Sequence, residues 1–282
     1  MSEHFFLGHH AFPHQGRTLV MGILNVTPDS FSDGGRHLER EAAIARGLEL
    51  AAQGADLIDV GGESTRPGAP PVDAATEAAR VVPVIAALAD RLDLPLSIDT
   101  TKPEVAEEAL RAGASLINDV NGLRQGDELA RLAASAGASL VLMHSRGSPE
   151  TMQTLASYHD LVQEVKERLA EAAAAAQRAG VPARSIVVDP GLGFAKDAAG
   201  NLTLLHRVSE LVDMGYPVLV GPSRKSFIGA ATGKPVGERL MGTAAACVAA
   251  ILGGARIVRI HDVAELLPAL RMAEAIREER LG

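Results

Sequence analysis

A (β/α)8 barrel is the fold that this 282-residue sequence predicts, and three observations carry the prediction. Eight short aliphatic runs recur along the chain, a glycine stands shortly before most of them, and helical patterns fill the intervals. Continuous apolar runs of this length read as strands buried on both faces, hence parallel. Glycine just past a helix is the usual left-handed cap, so each one marks the return from helix to strand. An open doubly wound sheet is the alternative, but the chain lacks the Gly-rich nucleotide turn that such folds use.

The strands can be taken in order. The first is Thr18–Leu24; Gly54 then precedes Asp56–Val60, and Pro95–Asp99 is the third. Gly113 precedes Ser115–Val120, and Gly137 precedes Ser139–Met143. Gly180 comes shortly before Ser185–Asp189, Gly215 precedes Pro217–Gly221, and Gly254 precedes Arg256–Ile260. Helical patterns include Glu41–Gln53, Pro103–Ala112, Asp160–Ala179 and Val263–Arg280. Thr101-Lys-Pro-Glu104 has capping-box spacing, with proline near the helix start. Residues 1–17 are expected to be an appendage, a short hairpin closing the barrel floor. Residues 18–282 are expected to form the barrel, with no Pro/Ser linker to mark a second domain.

Composition narrows the function. There are 27 Lys+Arg against 35 Asp+Glu, a formal net charge of -8. That balance speaks against nucleic-acid partners and anionic membranes, both of which need basic surface. Any anion must be held by a local cluster. Aromatics are 3% with no Trp, which removes stacking platforms for single strands. The one cysteine, Cys247, can form no intrachain disulfide, so a reducing, cytoplasmic setting is expected. Met1–Leu7 has no basic stretch followed by a long apolar run, so no signal peptide is expected. The longest apolar run, Ala244–Leu252, is too short to span a bilayer.

In such a barrel the chemistry sits where strands end. The second strand holds Asp59; the third ends at Asp99, the fourth at Asn118-Asp119, the fifth at Met143-His144 and the sixth at Asp189. The seventh runs into Gly221-Pro-Ser-Arg-Lys-Ser-Phe227, and the eighth carries Arg259 and His261. Any one strand-end Asp or Asn could simply cap the following helix. Caps do not require Lys225, Arg259 and His261 to converge on the same rim as Asp99, Asn118 and Asp189; a convergent polar ring over an aliphatic barrel is a binding site. The loops after strands one and two hold Gly34, Gly35, Gly61, Gly62 and Gly68 and read as movable lids. Asn25 opens the first with a neutral oxygen that suits Mg²⁺ beside phosphate. Gly229–Pro235 lacks phosphate-loop spacing, and Gly191-Leu-Gly193 has no third glycine for a dinucleotide. His9, His10 and His14 are not completed to a metal set by a Cys or carboxylate and read as an exposed polar terminus.

Assembled, these residues resemble the dihydropteroate synthase family of folate biosynthesis, over roughly residues 18 to 280. The marks are Met21–Gly35, Asp59–Gly68, Asp189–Phe194, Ser223-Arg-Lys-Ser-Phe227 and Arg259–Val263, in that family's order. The resemblance implies a TIM barrel, usually a homodimer, that joins 6-hydroxymethyl-7,8-dihydropterin diphosphate to p-aminobenzoate with Mg²⁺ and releases pyrophosphate. It places the pterin on Asp99, Asn118, Asp189 and Lys225. The diphosphate falls to Asn25, Thr65, Arg259 and His261, with the metal at Asn25. The aminobenzoate falls to Thr65, Arg66, Pro67, Phe194, Ser223 and Lys225. Asp99, Asp189, Lys225, Arg259 and His261 are the expected catalytic set. Ser145, and Asp197 after Lys196, depart from the family's usual pattern. A corrinoid-linked methyltetrahydrofolate methyltransferase would need no diphosphate site, which Arg66, Arg259 and His261 supply. A pterin-binding paralogue without synthase activity would show damage to the two loops or around Lys225, and all three are intact.

Overall fold

The computed structural model describes residues 3–27, 35–64, 69, 71–148 and 150–279. The chain opens with an antiparallel hairpin of β1 (His4–Leu7) and β2 (His10–Pro13). Eight parallel strands follow. They are β3 (Leu19–Asn25), β4 (Leu57–Gly61), β5 (Leu96–Asp99), β6 (Leu116–Asp119), β7 (Ser139–Met143), β8 (Ile186–Asp189), β9 (Leu219–Val220) and β10 (Ile257–Ile260). They lie in the order β8-β7-β6-β5-β4-β3-β10-β9, and a parallel bridge between Val188 and Val218 brings the two ends together into a (β/α)8 barrel.

The helices are α1 (Gly35–Ala52), α2 (Ala74–Ala89), α3 (Pro103–Arg111), α4 (Glu128–Ala136) and α5 (Leu161–Arg178). After β8 come α6 (Ala198–His206) and α7 (Val208–Val212), then α8 (Ser226–Thr232), α9 (Leu240–Leu252) and α10 (Val263–Glu278). Gly137 ends α4 at φ 65°, a conformation that a Cβ would strain. The start of α3 differs from the capping box that the sequence suggested. Lys102 occupies the cap position with no side-chain cap bond. Pro103 needs no N–H acceptor there, and the Lys102 ammonium is drawn away to Glu63 at 2.6 Å and the buried Glu77 at 2.5 Å.

Successive strand residues face opposite sides, and this alternation divides the core in two. One set, including Val20, Ile58, Val60, Ile98, Ile117 and Leu140, packs outward against the helices. The other points into the barrel: Leu19, Met21, Leu57, Leu116, Val141, Val187, Leu219 and Ile257, all essentially inaccessible to solvent. Phe5 and Leu7 of β1 join this inner cluster from below. Ser139 Oγ ties the hairpin in place, donating to Phe6 O at 2.8 Å and accepting from Gly8 N at 2.9 Å. Fully burying a side chain such as Phe5 is worth about 1.5–3 kcal/mol, so the hairpin acts as a floor for the barrel.

Candidate active site

Moving two residues up five of the inward columns changes the chemistry. Above Leu57 stands Asp59, above Ser97 stands Asp99, above Leu116 stands Asn118, above Val187 stands Asp189 and above Ile257 stands Arg259. The ladder register sets Asn25 beside Gly61, Gly61 beside Asp99, and Asp99 beside Asn118. Four neighbouring strands therefore deliver an amide, a gap, a carboxylate and an amide along one row.

Arg259 links this tier. Its Nε donates to Asp59 Oδ2 at 2.6 Å and one η nitrogen donates to Asp99 Oδ2 at 2.8 Å. Asn118 Nδ2 donates to the same Asp59 oxygen at 3.0 Å. Burial alone would lower the Arg259 pKa, but the charges of Asp59 and Asp99 raise it above the ordinary value. Asp99 is pushed up to about 7, first by burial and then by the Asp59 charge, against the pull of Arg259. Asp59 Oδ1 and Asp99 Oδ1 are buried and find no hydrogen-bond partner among the described residues. Unpaired buried acceptors are costly, and here they point to a ligand with donors of its own.

On the opposite side of the tier, Asp189 is raised by burial, against the opposing charge of Lys225 and an N–H from Gly191 at 2.7 Å. Lys225 is lowered to about 8, chiefly by burial of its ammonium; Asp189 opposes this and Arg259 adds to it. The ammonium donates to Leu192 O and lies 4.9 Å from the Phe194 ring centroid. Gly193, at φ 83°, leaves room for it: an added Cβ would sit 3.2 Å from Lys225 Cδ. Arg224, at φ 59°, turns outward onto Asp262, so of the two adjacent cations only Lys225 faces the barrel.

The structure thus brings together Asp99, Asn118, Asp189, Lys225 and Arg259, with Phe194 at the edge. His261 follows Arg259 at the rim, and its ring Nδ1 lies 2.9 Å from Ser223 Oγ, which also accepts the His261 N–H at 3.2 Å. Ser223, expected against the aminobenzoate, is hydrogen-bonded to His261. Thr65, Arg66 and Pro67 lie outside the described residues, as do Gly34, Gly68 and most of the first loop. A cavity of about 550 Å³ opens between the ends of β4 to β7, walled by Lys102, Val120, Ser145, Arg146 and Phe194. Ser145, one of the two departures from the family pattern, donates from Oγ to Val120 O at 2.8 Å. Asp197, the other, caps α6 by accepting from Gly200 N at 2.7 Å.

Three groups were given no role in the sequence reading. Asp59 lay in the middle of an aliphatic run, where only strand alternation could have shown it facing the cations. Asp93 reaches His9 and His10 from a distant connection, so that their ligand atoms lie within 4.8 Å of one another. Lys196 is buried beside His144. Asp119 is the converse case: its carboxylate accepts from Asn121 N and Leu123 N at 2.8 and 2.7 Å, the capping role open to any strand-end Asp.

A profile of pterin binding enzymes matches residues 21–261, the span that holds this whole tier. The chain belongs to the pterin-binding enzyme family. Within the family it is 48% identical over 261 residues to the dihydropteroate synthase of Synechocystis sp., covering 92% of this chain and 90% of that one. The dihydropteroate synthase of Xanthomonas albilineans, solved with 4-aminobenzoic acid, superposes with a TM-score of 0.90 at 45% identity, covering 98% of this chain and 99% of that one. The same organism's enzyme in complex with 7,8-dihydropteroate gives 0.87 at 42% identity over 97% and 98% of the two chains. The fold and family shared with these relatives are those that the sequence resemblance implied.

Proposed function

We propose that the chain is a dihydropteroate synthase, joining 6-hydroxymethyl-7,8-dihydropterin diphosphate to p-aminobenzoate and releasing pyrophosphate. The observation that carries this reading is the inward tier of Asp99, Asn118, Asp189 and Lys225 over an apolar floor. A pterin is flat and edged with N–H donors and a ring carbonyl. Buried carboxylates suit the donors, Asn118 suits either kind of edge, and the Lys225 ammonium suits the carbonyl. The relatives solved with aminobenzoate and with the joined product support the pair of substrates.

In this reaction the bond from the pterin methylene carbon to the diphosphate oxygen breaks. The aminobenzoate nitrogen bonds to that carbon and loses a proton. Cation character grows on the pterin side, where Asp99 and Asp189 stabilise it electrostatically. Anionic charge grows on the leaving group, which His261, held by Ser223, and Arg259 face from the last strand. Phe194 and Lys225 supply a flat wall and a positive charge for an aromatic acid.

Mg²⁺ fits as the reaction's metal. Asn25, a half-buried amide at the rim, offers one neutral oxygen in the row with Asp99. Magnesium keeps most of its waters and is bound through one or two protein oxygens plus substrate phosphates, which is the donor set that a lone Asn25 leaves room for. When bound, the ion would neutralise charge on the departing diphosphate.

We further assign the protein to the cytoplasm as a homodimer. Among the described residues no helix is long and apolar enough to cross a membrane. Cys247 is buried, and burial pushes its thiol up to about 12, which makes it inert. Met241 and Leu252 of α9, with Met272 and Ile276 of α10, are large apolar side chains that stay exposed, which suits a second copy of the chain. The test of the activity is pyrophosphate release from the pterin diphosphate with Mg²⁺: it should require p-aminobenzoate and match it mole for mole. Release independent of the acid would overturn the synthase reading.

A further inference from the structure

The connection from β8 to α6, residues 190–197, carries Phe194, and its backbone is unusual. Gly191 and Gly193 have φ of 69° and 83°, and Ala195 adopts 51° although it has a Cβ and is fully buried. Left-handed backbone is unfavourable for non-glycine residues, which keep it only where the surroundings over-determine it. The surroundings here are hydrogen bonds. Asn201 Oδ1 accepts from Gly193 N at 2.6 Å, and Tyr158 donates its hydroxyl to Ala195 O at 2.9 Å. Gly191 passes so close to β7 that an added Cβ would lie 2.0 Å from His144 O.

Lys196 is the innermost tie. The side chain is buried, 3% exposed, and its ammonium nitrogen meets three acceptors: Phe194 O at 2.8 Å, His144 Nδ1 at 3.0 Å and His144 O at 3.4 Å. Burial pushes the Lys196 pKa well below the ordinary lysine value, with the Asp189 charge pulling the other way; in its charged form the nitrogen can only donate, so Nδ1 then accepts and the neutral ring carries its proton on Nε2. Burial, then the Lys196 charge, lowers His144 to about 2, so the ring stays an acceptor throughout the working pH range. His144 is itself fixed to β8 by its N–H, which donates to Asp189 O at 2.8 Å. One nitrogen therefore joins the backbone of Phe194 to the ends of β7 and β8. The Phe194 ring in turn lies beside the Lys225 ammonium.

We propose that Lys196, through His144, is a positioning residue for the aminobenzoate half of the site: it holds Phe194 where the ring and Lys225 together receive the aromatic acid. This rests on the synthase reading above. Lys196 touches neither substrate. It acts on the peptide carbonyl that sets the direction of the Phe194 side chain, and through His144 on the same strand end that carries Asp189. Other lysines of the site cannot substitute for it, because Lys225 donates to Leu192 O and Lys102 to Glu63 and Glu77.

Lys196→Met keeps the length and apolar stem while removing the donor, and steady-state kinetics separates the two substrates. The expected result is a rise of about tenfold in KM for p-aminobenzoate, the size expected when a buried acceptor loses its partner. KM for the pterin diphosphate should stay within twofold and kcat within threefold. His144→Leu should reproduce this split, and His144→Gln, which keeps an acceptor for Lys196, should restore most of the lost affinity. In the double variant Lys196→Met/His144→Leu the effects should be far from additive, since both break one tie. A purely structural lysine would lower Tm and leave the two KM values unchanged; that outcome, or an equal rise in both, overturns the proposal. If Lys196→Met does not fold, the two His144 variants decide alone: unchanged aminobenzoate KM in His144→Leu overturns it. Failure of the synthase reading would show separately, as absence of aminobenzoate-dependent pyrophosphate release by the unaltered chain.

Discussion

The floor and the rim of this barrel are built on the same inward columns, two residues apart, and they are opposite in nature. The floor is a largely aliphatic cluster sealed by Phe5 and Leu7, with Ser97 and Ser139 the small buried polar side chains at its level. The rim holds Asp59, Asp99, Asn118, Asp189 and Arg259, with two carboxylate oxygens left unpaired among the described residues. The floor gains stability from every side chain it buries. The rim spends some of that stability on desolvated charges held ready for a ligand. A single strand thus carries a stabilising residue and a functional one on the same face. Substitutions in the two tiers should separate accordingly.

The largest effect belongs to the floor. Phe5→Ala removes a fully buried ring from below the barrel and should cost about 3–5 kcal/mol of stability. Thermal unfolding should show it as a clear drop in Tm, while pterin affinity measured well below the new Tm stays the same. Loss of affinity equal to the loss of stability would mean that floor and rim are one unit.

Asp189→Ala is the mirror image. It should weaken pterin binding by about ten- to a hundredfold, the equivalent of a charge-assisted hydrogen bond of about 1.5–3 kcal/mol. Stability should change little or rise, because burial already disfavours the charge on this carboxylate. Calorimetry with a pterin ligand checks the first point, and unchanged affinity would remove Asp189 from the pocket.

The same contrast explains what could be read from the sequence. Aliphatic runs and capping glycines recur with each strand–helix unit, so Leu57, Leu116, Val187 and Ile257 were legible as strand interiors. Strand-end residues such as Asp99, Asp189 and Lys225 were legible as one rim because their types do not suit caps alone. What stayed hidden depends on contacts across the barrel. Asp59 looks like a polar break in a strand until Arg259 is seen reaching it from 200 positions away. Ser223 reads as a ligand for the aminobenzoate, and its hydrogen bonds to His261 across the last two strands could not be seen in the sequence. Lys196 stands in a familiar stretch, but its burial against His144 needs two connections folded together. Asp93 is likewise invisible as a neighbour of His9 and His10 until the floor hairpin is docked.

The raised and lowered pKa values in the rim give a pH test that the floor lacks. Asp99 binds an N–H edge best when ionised, which requires a pH above about 7. Lys225 offers its charge only below about 8. The pH profile of kcat/KM for the pterin diphosphate should therefore be a narrow bell with limbs near these two values. Asp99→Asn should remove the acid limb along with most of the activity. Survival of that limb would assign it to another group, Asp189 first. The stability consequence has its own sign. Between the ordinary carboxylate range and about pH 7 the folded protein keeps a proton on Asp99 that the unfolded chain has lost. Stability should therefore fall as pH rises through that window and level off above it, and the slope should be smaller in Asp99→Asn.

The smallest expected effect decides what Ser223 does. The resemblance put it with the aminobenzoate, whereas its hydroxyl bridges the His261 ring and the His261 N–H. Accepting that N–H lets it donate to Nδ1, which places the ring proton on Nε2. Ser223→Ala removes the hydroxyl's two hydrogen bonds to His261 and with them the fixed tautomer, and the loss of ring orientation should cost about 1 kcal/mol, or roughly fivefold in affinity. Titration with Mg-pyrophosphate should show that loss, while KM for p-aminobenzoate stays within twofold. His261→Ala should weaken pyrophosphate more, and adding Ser223→Ala to it should then add little, because only the serine's bond to the His261 backbone N–H is left to lose. A fivefold change in the aminobenzoate KM with unchanged pyrophosphate binding would return Ser223 to the acid's site. It would also show that the serine turns away from His261 when the substrates enter.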